Sequence, residues 1–474
     1  MTGMGSKHWA VVGGGMLGLT LAFRLSQKGH KVTVLEADQE LGGLAGTWEI
    51  GGIRWDKHYH VMLLSDVHLR NLLHDLELEQ EVSWVETKTG FYCGGRFLSM
   101  SSVWEFLTFP VLKWWERMRL GGTIFMISRV RNWHRLEKLT VEKWLKRWSG
   151  EIVWQKIWRP LLRAKLGESY TKTSAVFIWA HTQRMYKARS RRHGRETFGY
   201  VHGGYARILN RLAEVLKQRG AEVIVGAGVS EAVVGGGGRI VVRLDNGVRR
   251  EFDRVVYTVP APIIAATCLG LSSEERSGFN NIEYLGIVCS SVLLKKPLSE
   301  YYITNITDEE VPFTGVIELT AVVDKNELGG LSLVYLPKYT MDEEELSRES
   351  DEKVKERCLS TLERMYPKFS RKDVVDFKVS RARYLMALPT LCYSEYLPNM
   401  ETSIPGVWAV NSAQILKGNL NVNETIQVVE TALNKIFENY QVQKSGTRSK
   451  LKGWLRRSWR LFLGRGRKLL SWRL

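Results

Sequence analysis

The chain has 474 residues, of which 44% are hydrophobic and 25% are charged, as in ordinary globular proteins. This length predicts two or three domains and excludes a disordered, collagen-like or disulfide-stapled chain. Lys and Arg outnumber Asp and Glu by 68 to 50, a formal net charge of +18, and there are 17 tryptophans. A basic, tryptophan-rich chain suggests a nucleic acid or an anionic membrane surface as partner.

Cysteine usage and hydropathy bound the compartment. The five cysteines are widely spaced and form no CxxC pair, so we predict neither a disulfide framework nor a metal site, and a reducing compartment fits best. No signal peptide precedes the first apolar run, and no stretch of 18 apolar residues occurs. The sequence therefore predicts a cytoplasmic protein without a membrane-spanning helix.

The first elements in chain order form a βαβ unit. Residues 9–12 predict a short buried strand, 13–18 a glycine-rich turn, 19–28 a helix that ends at a glycine, and 31–36 a second strand. Because the turn joins a strand to a helix, its glycines have a defined structural context.

The glycines of this turn fit the pattern GxGxxG. Gly13 permits the tight turn, Gly15 lets the backbone approach a pyrophosphate, and Gly18 lets the helix pack on the strand. Glu36 ends the second strand, where a carboxylate can bind a ribose hydroxyl and disfavours a 2′-phosphate. The unit therefore predicts a dinucleotide-binding site; the alternative is a glycine turn that binds nothing.

A second glycine pair follows the ribose-binding acid: Gly42 and Gly43 precede Leu44 in LGGLAGT. This arrangement resembles FAD enzymes of the amine oxidase, protoporphyrinogen oxidase and phytoene desaturase superfamily. The resemblance extends to about residue 440. It implies an α/β fold in which a Rossmann-type FAD-binding domain, of the glutathione-reductase kind, is interleaved with an α+β substrate domain.

The resemblance also divides the chain into domains. It implies a discontinuous FAD-binding domain and a substrate domain that is inserted in two pieces, followed by a basic amphipathic tail. The FAD-binding segments are 1–85, 198–270 and 402–440, the substrate segments are 86–197 and 271–401, and the tail is 441–474.

Further cofactor contacts come from the resemblance alone. It implies that a strand backbone holds the adenine, and that the N-terminus of the last helix points at the flavin, where the helix dipole favours the reduced anion. In the stretch WDKHYH a histidine replaces a glycine of the family pattern. Beyond the two glycine segments and Glu36, the implied FAD contacts are Asp56, His58, Val229, Thr258, Pro260, Asn411, Asn423, Glu424 and Thr425.

Three side chains are candidates for catalysis: His60, Tyr384 and Arg383. His60 or His58 could shuttle a proton near neutral pH; the alternative is a histidine that bonds backbone or the FAD phosphate. In a strand, Arg381 and Arg383 share one face and Tyr384 takes the other, so they meet in one site only if a bulge intervenes. The alternative is a solvated edge with Tyr384 in the core.

A tryptophan-rich, basic segment, 100–195, separates the two α/β parts. Its nine tryptophans alternate with Arg and Lys, which fits either helix core or a membrane-interface lining. The stretch 184–195 has six Lys or Arg and no acid, so it either covers a phosphate-bearing head group or is a solvated face.

The tail 444–474 supplies +11 of the net charge, with no Asp or Glu. Its Trp, Leu and Phe residues fall roughly on one side of a helix, which predicts an interfacial anchor on anionic lipid; the alternative is a solubilising tail. Because no nucleic-acid module accompanies the charge, we predict no nucleic-acid partner.

These features predict an FAD-dependent oxidoreductase that is peripherally bound at the membrane and transfers hydride between flavin N5 and a hydrophobic or lipid-linked substrate, with no metal. A desaturase, dehydrogenase or oxidase would all fit. The alternative is a non-redox flavoenzyme that resembles UDP-galactopyranose mutase and acts on a sugar nucleotide. A third hypothesis is a flavin-bearing scaffold without turnover. The oligomeric state stays open.

Overall fold

The computed structural model describes residues 5–188 and 196–438. The chain divides into two compact units, 1–428 and 429–474. Of the second unit, the described residues 429–438 are helical. The predicted basic tail, 441–474, lies outside the described residues.

The strands, in chain order, are β1 His8–Val12, β2 Lys31–Leu35, β3 Thr47–Ile50, β4 Ile53–Asp56, β5 Met62–Leu63, β6 Val82–Glu86, β7 Thr89–Cys93, β8 Arg96–Ser99, β9 Thr197–Val201, β10 Glu222–Ile224, β11 Val229–Val234, β12 Ile240–Leu244, β13 Arg249–Phe252, β14 Arg254–Tyr257, β15 Tyr284–Leu294, β16 Ile303–Ile306, β17 Gly315–Glu318, β18 Ser332–Thr340, β19 Val374–Ala387 and β20 Val407–Ala409.

The helices are α1 Met16–Gln27, α2 Val67–Asp75, α3 Val103–Leu107, α4 Trp114–Arg129, α5 His134–Glu137, α6 Val141–Ser149, α7 Glu151–Val153, α8 Arg159–Leu166, α9 Val176–Ala188, α10 Gly204–Gln218, α11 Ala261–Thr267, α12 Ser273–Asn280, α13 Glu343–Ser347, α14 Asp351–Met365, α15 Tyr393–Tyr396 and α16, residues 422–438. A π-helical segment, Trp154–Trp158, joins α7 to α8.

A parallel sheet of five strands lies at the centre of one part of the fold, in the order β10-β2-β1-β14-β20. Apolar runs such as WAVV in β1 and VTVL in β2 are buried along their length, as expected for parallel strands covered on both faces. Its strands come from three separate stretches of the chain. The carboxyl ends of β1, β2 and β14 therefore meet at one edge of the sheet.

A second sheet has seven strands in the order β19-β15-β18-β17-β16-β7-β8, and its pairs are antiparallel except for β16 with β7. All of β15 is buried, because hydrophobic clusters pack against both of its faces, one around Ile287 and the other around Val288. The register shifts between Leu285, opposite Met386, and Ile287, opposite Ala382. Residues 383–385 therefore bulge opposite Gly286. The fold as a whole is mixed α/β, as predicted.

The tryptophan-rich segment forms α3 to α9, and its tryptophans divide between the core and the surface. Trp133, Trp144, Trp154 and Trp158 are buried core residues, while others lie on the surface, led by Trp104 at 73% exposed and Trp114 at 66%. Core packing and an exposed aromatic surface are thus both present. Within residues 5–188 and 196–438, no helix combines the length and apolar character needed to cross a membrane.

Candidate functional site

The glycine turn between β1 and α1 is shaped by close backbone approach. Gly13 has φ +109°, a conformation that glycine adopts without strain. A Cβ on Gly18 would lie 1.9 Å from the Gly13 carbonyl oxygen. The first position therefore needs glycine for its backbone conformation, and the third needs it for packing. Neither requirement depends on a ligand.

The second glycine segment lies beside this turn. The Gly42 N–H donates to the Gly14 carbonyl at 2.9 Å, and Gly42 forms a parallel bridge with Gly15. A Cβ on Gly15 would have 3.7 Å to its nearest neighbour, so this glycine is not required by protein packing. Helix α1 starts at Met16 with no side-chain cap and no acid in its first turn. A glycine-lined helix N-terminus that no side chain of the described residues caps fits a pyrophosphate.

Glu36 extends from the end of β2 towards the glycine turn. Its Oε2 accepts the Gly14 N–H at 2.5 Å and its Oε1 accepts the Asp38 N–H at 2.9 Å. Its carbonyl accepts the Ala227 N–H at 2.8 Å, which places the approach to β11, and hence Val229, next to β2. The structure thus brings a carboxylate, a glycine turn and the predicted adenine-side strand together.

The ends of β14 and β20 lie under the same turn. Thr258 donates its hydroxyl to the Val12 carbonyl at 2.8 Å, and Pro260 precedes the first residue of α11. Asn411 is buried, and its Nδ2 donates to the Val259 carbonyl at 3.2 Å. These predicted contact residues therefore hold the strand ends together. Any contact with FAD would use atoms that are not already in these hydrogen bonds.

Asp56 anchors a helix. It is 3% exposed, and its Oδ1 accepts the Tyr205 N–H at 3.0 Å at the start of α10. Gly204, at φ +66°, leaves only 3.1 Å between a Cβ and that oxygen. Burial raises the pKa of Asp56 to about 8. A protonated carboxyl can still accept this N–H, so its observed role is to hold α10.

His58 has both ring nitrogens occupied. Nδ1 lies 3.2 Å from the Leu44 carbonyl oxygen and Nε2 lies 3.3 Å from Ser380 Oγ. Burial lowers the pKa of His58. This corresponds to the alternative prediction of a histidine that bonds backbone, and it ties the second glycine segment to β19.

His60 keeps a free nitrogen. Its ring lies 4.7 Å from the Tyr205 ring, and its buried Nδ1 has no hydrogen-bond partner among the described residues, with Asp56 Oδ2 3.9 Å away. Burial lowers the pKa of His60 to about 3. Desolvation therefore favours the neutral imidazole over the titration near neutral pH that the sequence predicts. The free Nδ1 is an available hydrogen-bonding position.

The predicted pair on β19 does not converge on one site. The bulge that could bring the side chains together is present, yet Arg383 points outward, 60% exposed, and pairs with Glu343 at 3.0 Å. Tyr384 packs edge-on against Tyr284, with ring centres 5.3 Å apart. The acidic start of α13 holds Arg383 at the surface, away from Tyr384.

The last helix begins at residue 422, one residue before the predicted opening at Asn423. Asn421 accepts the Glu424 N–H at 3.0 Å as its N-terminal cap. Asn423 Oδ1 instead accepts the N–H groups of His68, at 2.9 Å, and of Leu69, and so caps α2.

The other two residues predicted at this helix start also contact protein. Thr425 donates its hydroxyl to the Asn421 carbonyl at 2.9 Å. Burial raises the pKa of Glu424. Arg184 pairs with Asp66 at 2.9 Å. Residues 189–195 of the predicted basic stretch 184–195 lie outside the described residues.

Sequence reasoning missed an aromatic and basic cluster in the second part of the fold. Tyr59 and Tyr339 hydroxyls lie 2.5 Å apart, and Lys165 Nζ lies 3.6 Å from the centre of the Tyr339 ring. Burial lowers the pKa of Lys165 to about 7 and that of nearby His181 to about 4. No motif marks these residues, since they are scattered over 280 positions of sequence between Tyr59 and Tyr339.

The parallel sheet, the glycine turn and the adjoining carboxylate together define a dinucleotide-binding α/β protein. The sequence model of the flavin containing amine oxidoreductases matches residues 17–408, so the chain belongs to that family, whose cofactor is FAD. The predicted superfamily and cofactor are confirmed, as is the class of FAD-dependent oxidoreductase.

Individual relatives match over short stretches. Protoporphyrinogen oxidase 2, chloroplastic/mitochondrial, of Arabidopsis thaliana is 37% identical over 75 residues, which cover 16% of this chain and 15% of that protein. Solved structures match over nearly the whole chain. An oxidoreductase from Methanosarcina mazei has a TM-score of 0.69 at 19% identity and covers 90% of this chain and 100% of its own.

A reduced UDP-galactopyranose mutase also shares this architecture. Its TM-score is 0.68 at 15% identity, and the likeness covers 92% of this chain and 94% of that chain. At such identities the likeness shows the fold alone.

Proposed function

We propose that the chain is an FAD-dependent oxidoreductase that transfers hydride between flavin N5 and a hydrophobic or lipid-linked substrate. The observation that carries this proposal is the uncapped N-terminus of α1, which is lined by two glycine segments and adjoins the Glu36 carboxylate. We assign the five-stranded parallel sheet to a Rossmann-type FAD-binding domain.

The chain's own residues supply binding and orientation. The α1 N-terminus would hold the pyrophosphate, and Glu36 would exchange one backbone donor for a ribose hydroxyl. When bound, FAD supplies a hydride acceptor or donor. His58 keeps Leu44 in place from one side, and His60 offers a neutral Nδ1 with no partner among the described residues. Neutral groups here keep the site free of a competing fixed charge.

An exposed apolar stripe supports a membrane partner. On α4, Trp114, Trp115, Met118 and Phe125 are between 48% and 66% exposed, while the opposite face, with Leu120, is buried. Aromatic side chains with flanking cations are typical of membrane interfaces.

Two cations flank this stripe. Lys113 Nζ lies 5.0 Å from the Trp115 ring centre, and the Arg129 guanidinium carbon lies 4.9 Å from that of Phe125. We propose that this stripe and the tail 444–474 bind an anionic membrane surface, where a lipid-linked substrate would be available.

The mutase alternative has less support. Such an enzyme needs free guanidinium groups for the pyrophosphate of its sugar nucleotide. Arg184, Arg381 and Arg383 are each ion-paired with a carboxylate. We therefore prefer the oxidoreductase.

Anaerobic spectrophotometry of the purified protein tests the redox proposal. The flavin spectrum is recorded before and after NADH, NADPH, candidate lipids and oxygen are added in turn. We expect bound FAD whose spectrum bleaches with one reductant or substrate and recovers with an acceptor. A protein that takes up no FAD contradicts the proposal, and turnover of a sugar nucleotide without net consumption of reductant favours the mutase.

Vesicle co-sedimentation tests the membrane proposal. We expect the full chain to sediment with phosphatidylglycerol vesicles and less with phosphatidylcholine vesicles, because anionic lipid adds about 1 kcal/mol per cation. Deleting 444–474, or changing Trp114, Trp115 and Phe125 to Gln, should reduce binding and leave FAD bound. A matched control changes Val234 and Val248 to Gln, which are 54% and 46% exposed elsewhere. Unchanged binding of both the deletion and the α4 variant would contradict the proposal.

A further inference from the structure

The ammonium of Lys165 has no counter-ion among residues 5–188 and 196–438. Lys165 lies near the end of α8, and its Nζ lies over the Tyr339 ring at 3.6 Å from the centre. Among the described residues it forms neither an ion pair nor a hydrogen bond. Its neighbour Arg163 differs, since it pairs with Glu168 at 2.7 Å and Glu309 at 2.6 Å. A cation on an aromatic face keeps its preference for a negative partner.

The rest of the chain has no acidic side chain to offer. The residues outside the described ranges are 1–4, 189–195 and 439–474, and their sequences contain no Asp or Glu. The missing carboxylate therefore cannot be a side chain from one of those segments. A bound molecule is therefore the source of an anion for Lys165 that we consider.

A second basic side chain lies beside Lys165. Burial lowers the pKa of Lys165 to about 7, and desolvation together with repulsion from Lys165 lowers the pKa of His181 to about 4. The His181 side chain reaches solvent, so it is accessible to a ligand. Two neighbouring basic groups, with no acid opposed to them among the described residues, favour an anion.

Two aromatic rings connect this basic pair to the predicted flavin side. The Tyr339 hydroxyl lies 2.5 Å from that of Tyr59. Tyr59 stands between His58, which is bonded to the Leu44 carbonyl, and His60, which packs on Tyr205. The rings offer flat apolar surface directly beside the cation. A molecule with a planar or apolar body and an anionic group would match both features.

We propose that Lys165, with His181 beside it and Tyr339 and Tyr59 beneath, binds an anionic group, a carboxylate or a phosphate, that the substrate carries next to a planar or apolar part. This inference rests on the proposed function, because it assigns a substrate class to the same site. Lys165 would be a substrate-binding residue, and the reacting carbon would lie on the Tyr59 side of it.

Anion titration of the purified holoenzyme tests the proposal. Benzoate probes a carboxylate and inorganic phosphate probes a phosphate, while benzamide is the matched neutral ligand. Binding is read by flavin absorbance and by calorimetry. We expect at least one anion to bind and benzamide to bind more weakly. Lys165→Met should weaken the anion by about tenfold or more, and Lys165→Arg should keep it within about threefold.

Controls make each outcome decisive. Lys143→Met removes an exposed lysine on α6 and should change nothing, and FAD content should be equal in all variants. The anion that binds identifies the group. If neither anion binds the wild type, or if Lys165→Met binds it as the wild type does, the proposal is overturned. A protein without FAD fails the proposed function, whereas calorimetry still decides whether Lys165 binds an anion.

Discussion

The two sides of the candidate site are built in opposite ways. Around the glycine turn, backbone groups would bind the ligand, and the Glu36 carboxylate already accepts the N–H groups of Gly14 and Asp38. Around Lys165, side chains would bind the ligand, and the cation has no partner among the described residues. In the first region the carboxylate is already hydrogen-bonded, while the uncapped N-terminus of α1 presents its N–H groups to a ligand. In the second region a cation has no partner among the described residues.

This difference indicates where binding energy for each ligand would come from. A cradle of helix N–H groups accepts any pyrophosphate in the same way, so it carries little information about the reaction. An unpaired cation beside aromatic rings selects by charge and shape. The substrate is therefore to be sought through the second region. Substitutions in the first should remove the cofactor, and substitutions in the second should leave it bound.

The largest effect is expected at Gly18. In Gly18→Ala the new Cβ would lie 1.9 Å from the Gly13 carbonyl oxygen, and because that neighbour is backbone the turn must shift. We expect FAD content per protein, measured by absorbance, to fall by at least about tenfold. Gly122→Ala is the control, since a Cβ there meets nothing within 4 Å; it should keep FAD and gain about 1 kcal/mol of helix stability. Equal FAD content in both variants would refute the cradle.

A second effect is expected in the pH dependence of stability. The folded-state pKa of Asp56 is about 8, above its usual value. The protonated Asp56 contributes fully to the free energy of unfolding below its usual pKa. This contribution falls as the pH rises from the usual pKa to about 8, by at most about 1.4 kcal/mol per pH unit.

Asp56→Asn keeps the acceptor for the Tyr205 N–H and removes this ionisation. Chemical denaturation at about pH 5 and pH 8 should therefore show a smaller loss of stability in Asp56→Asn than in the wild type. The exposed Asp38→Asn is the surface control. If the free energy of unfolding of Asp56→Asn falls with pH as steeply as that of the wild type, another group is responsible.

A smaller effect is expected at Tyr339, where two variants separate the contribution of the ring from that of the hydroxyl. Tyr339→Phe keeps the ring beneath Lys165 and loses the hydroxyl contact with Tyr59, so anion affinity should change by less than about threefold. Tyr339→Leu removes the ring and should weaken binding of benzoate more than binding of phosphate. Titration of both variants with both anions gives the comparison. Equal losses for the two ligands would show that the ring does not contact the bound molecule.

The smallest effect is expected at Arg383. Its side chain is 60% exposed and its ion pair with Glu343 lies at the surface, where such pairs contribute about 0–1 kcal/mol. Arg383→Ala should leave FAD content, anion binding and flavin reduction rates within about twofold of the wild type. A large loss of reduction rate would return Arg383 to the site.

Periodicity and turn chemistry predicted the cofactor side because that side is local. The strand, the glycine turn, the helix and the acid of the first βαβ unit lie within 36 residues, and each has a short-range cause in backbone sterics or hydrogen bonding. The flavin and the superfamily followed from those residues and from the second glycine pair. Because the motif is local, the sequence alone predicts the positions of Gly18 and Glu36 beside the glycine turn.

Side-chain roles that depend on burial could not be predicted in this way. The sequence predicts that His60 titrates near neutral pH, whereas its desolvation, which only packing reveals, favours the neutral form. Arg383 and Tyr384 were expected in the site, but a bulge opposite Gly286 and the acids of α13 decide where they point. Asn423 lies in the first turn of the last helix, close to the predicted opening, but only the fold shows that its side chain also caps α2.

The sequence by itself determined the class of the protein, its cofactor and the composition of its charge, because these depend on short motifs and on counting. Only the tertiary structure decided which tryptophans are core and which face outward, and which charged groups have partners. An unpaired lysine is a property of what surrounds it in space. Lys165 and Tyr339 are 174 positions apart, and nothing short of the packing of α8 against β18 brings them together.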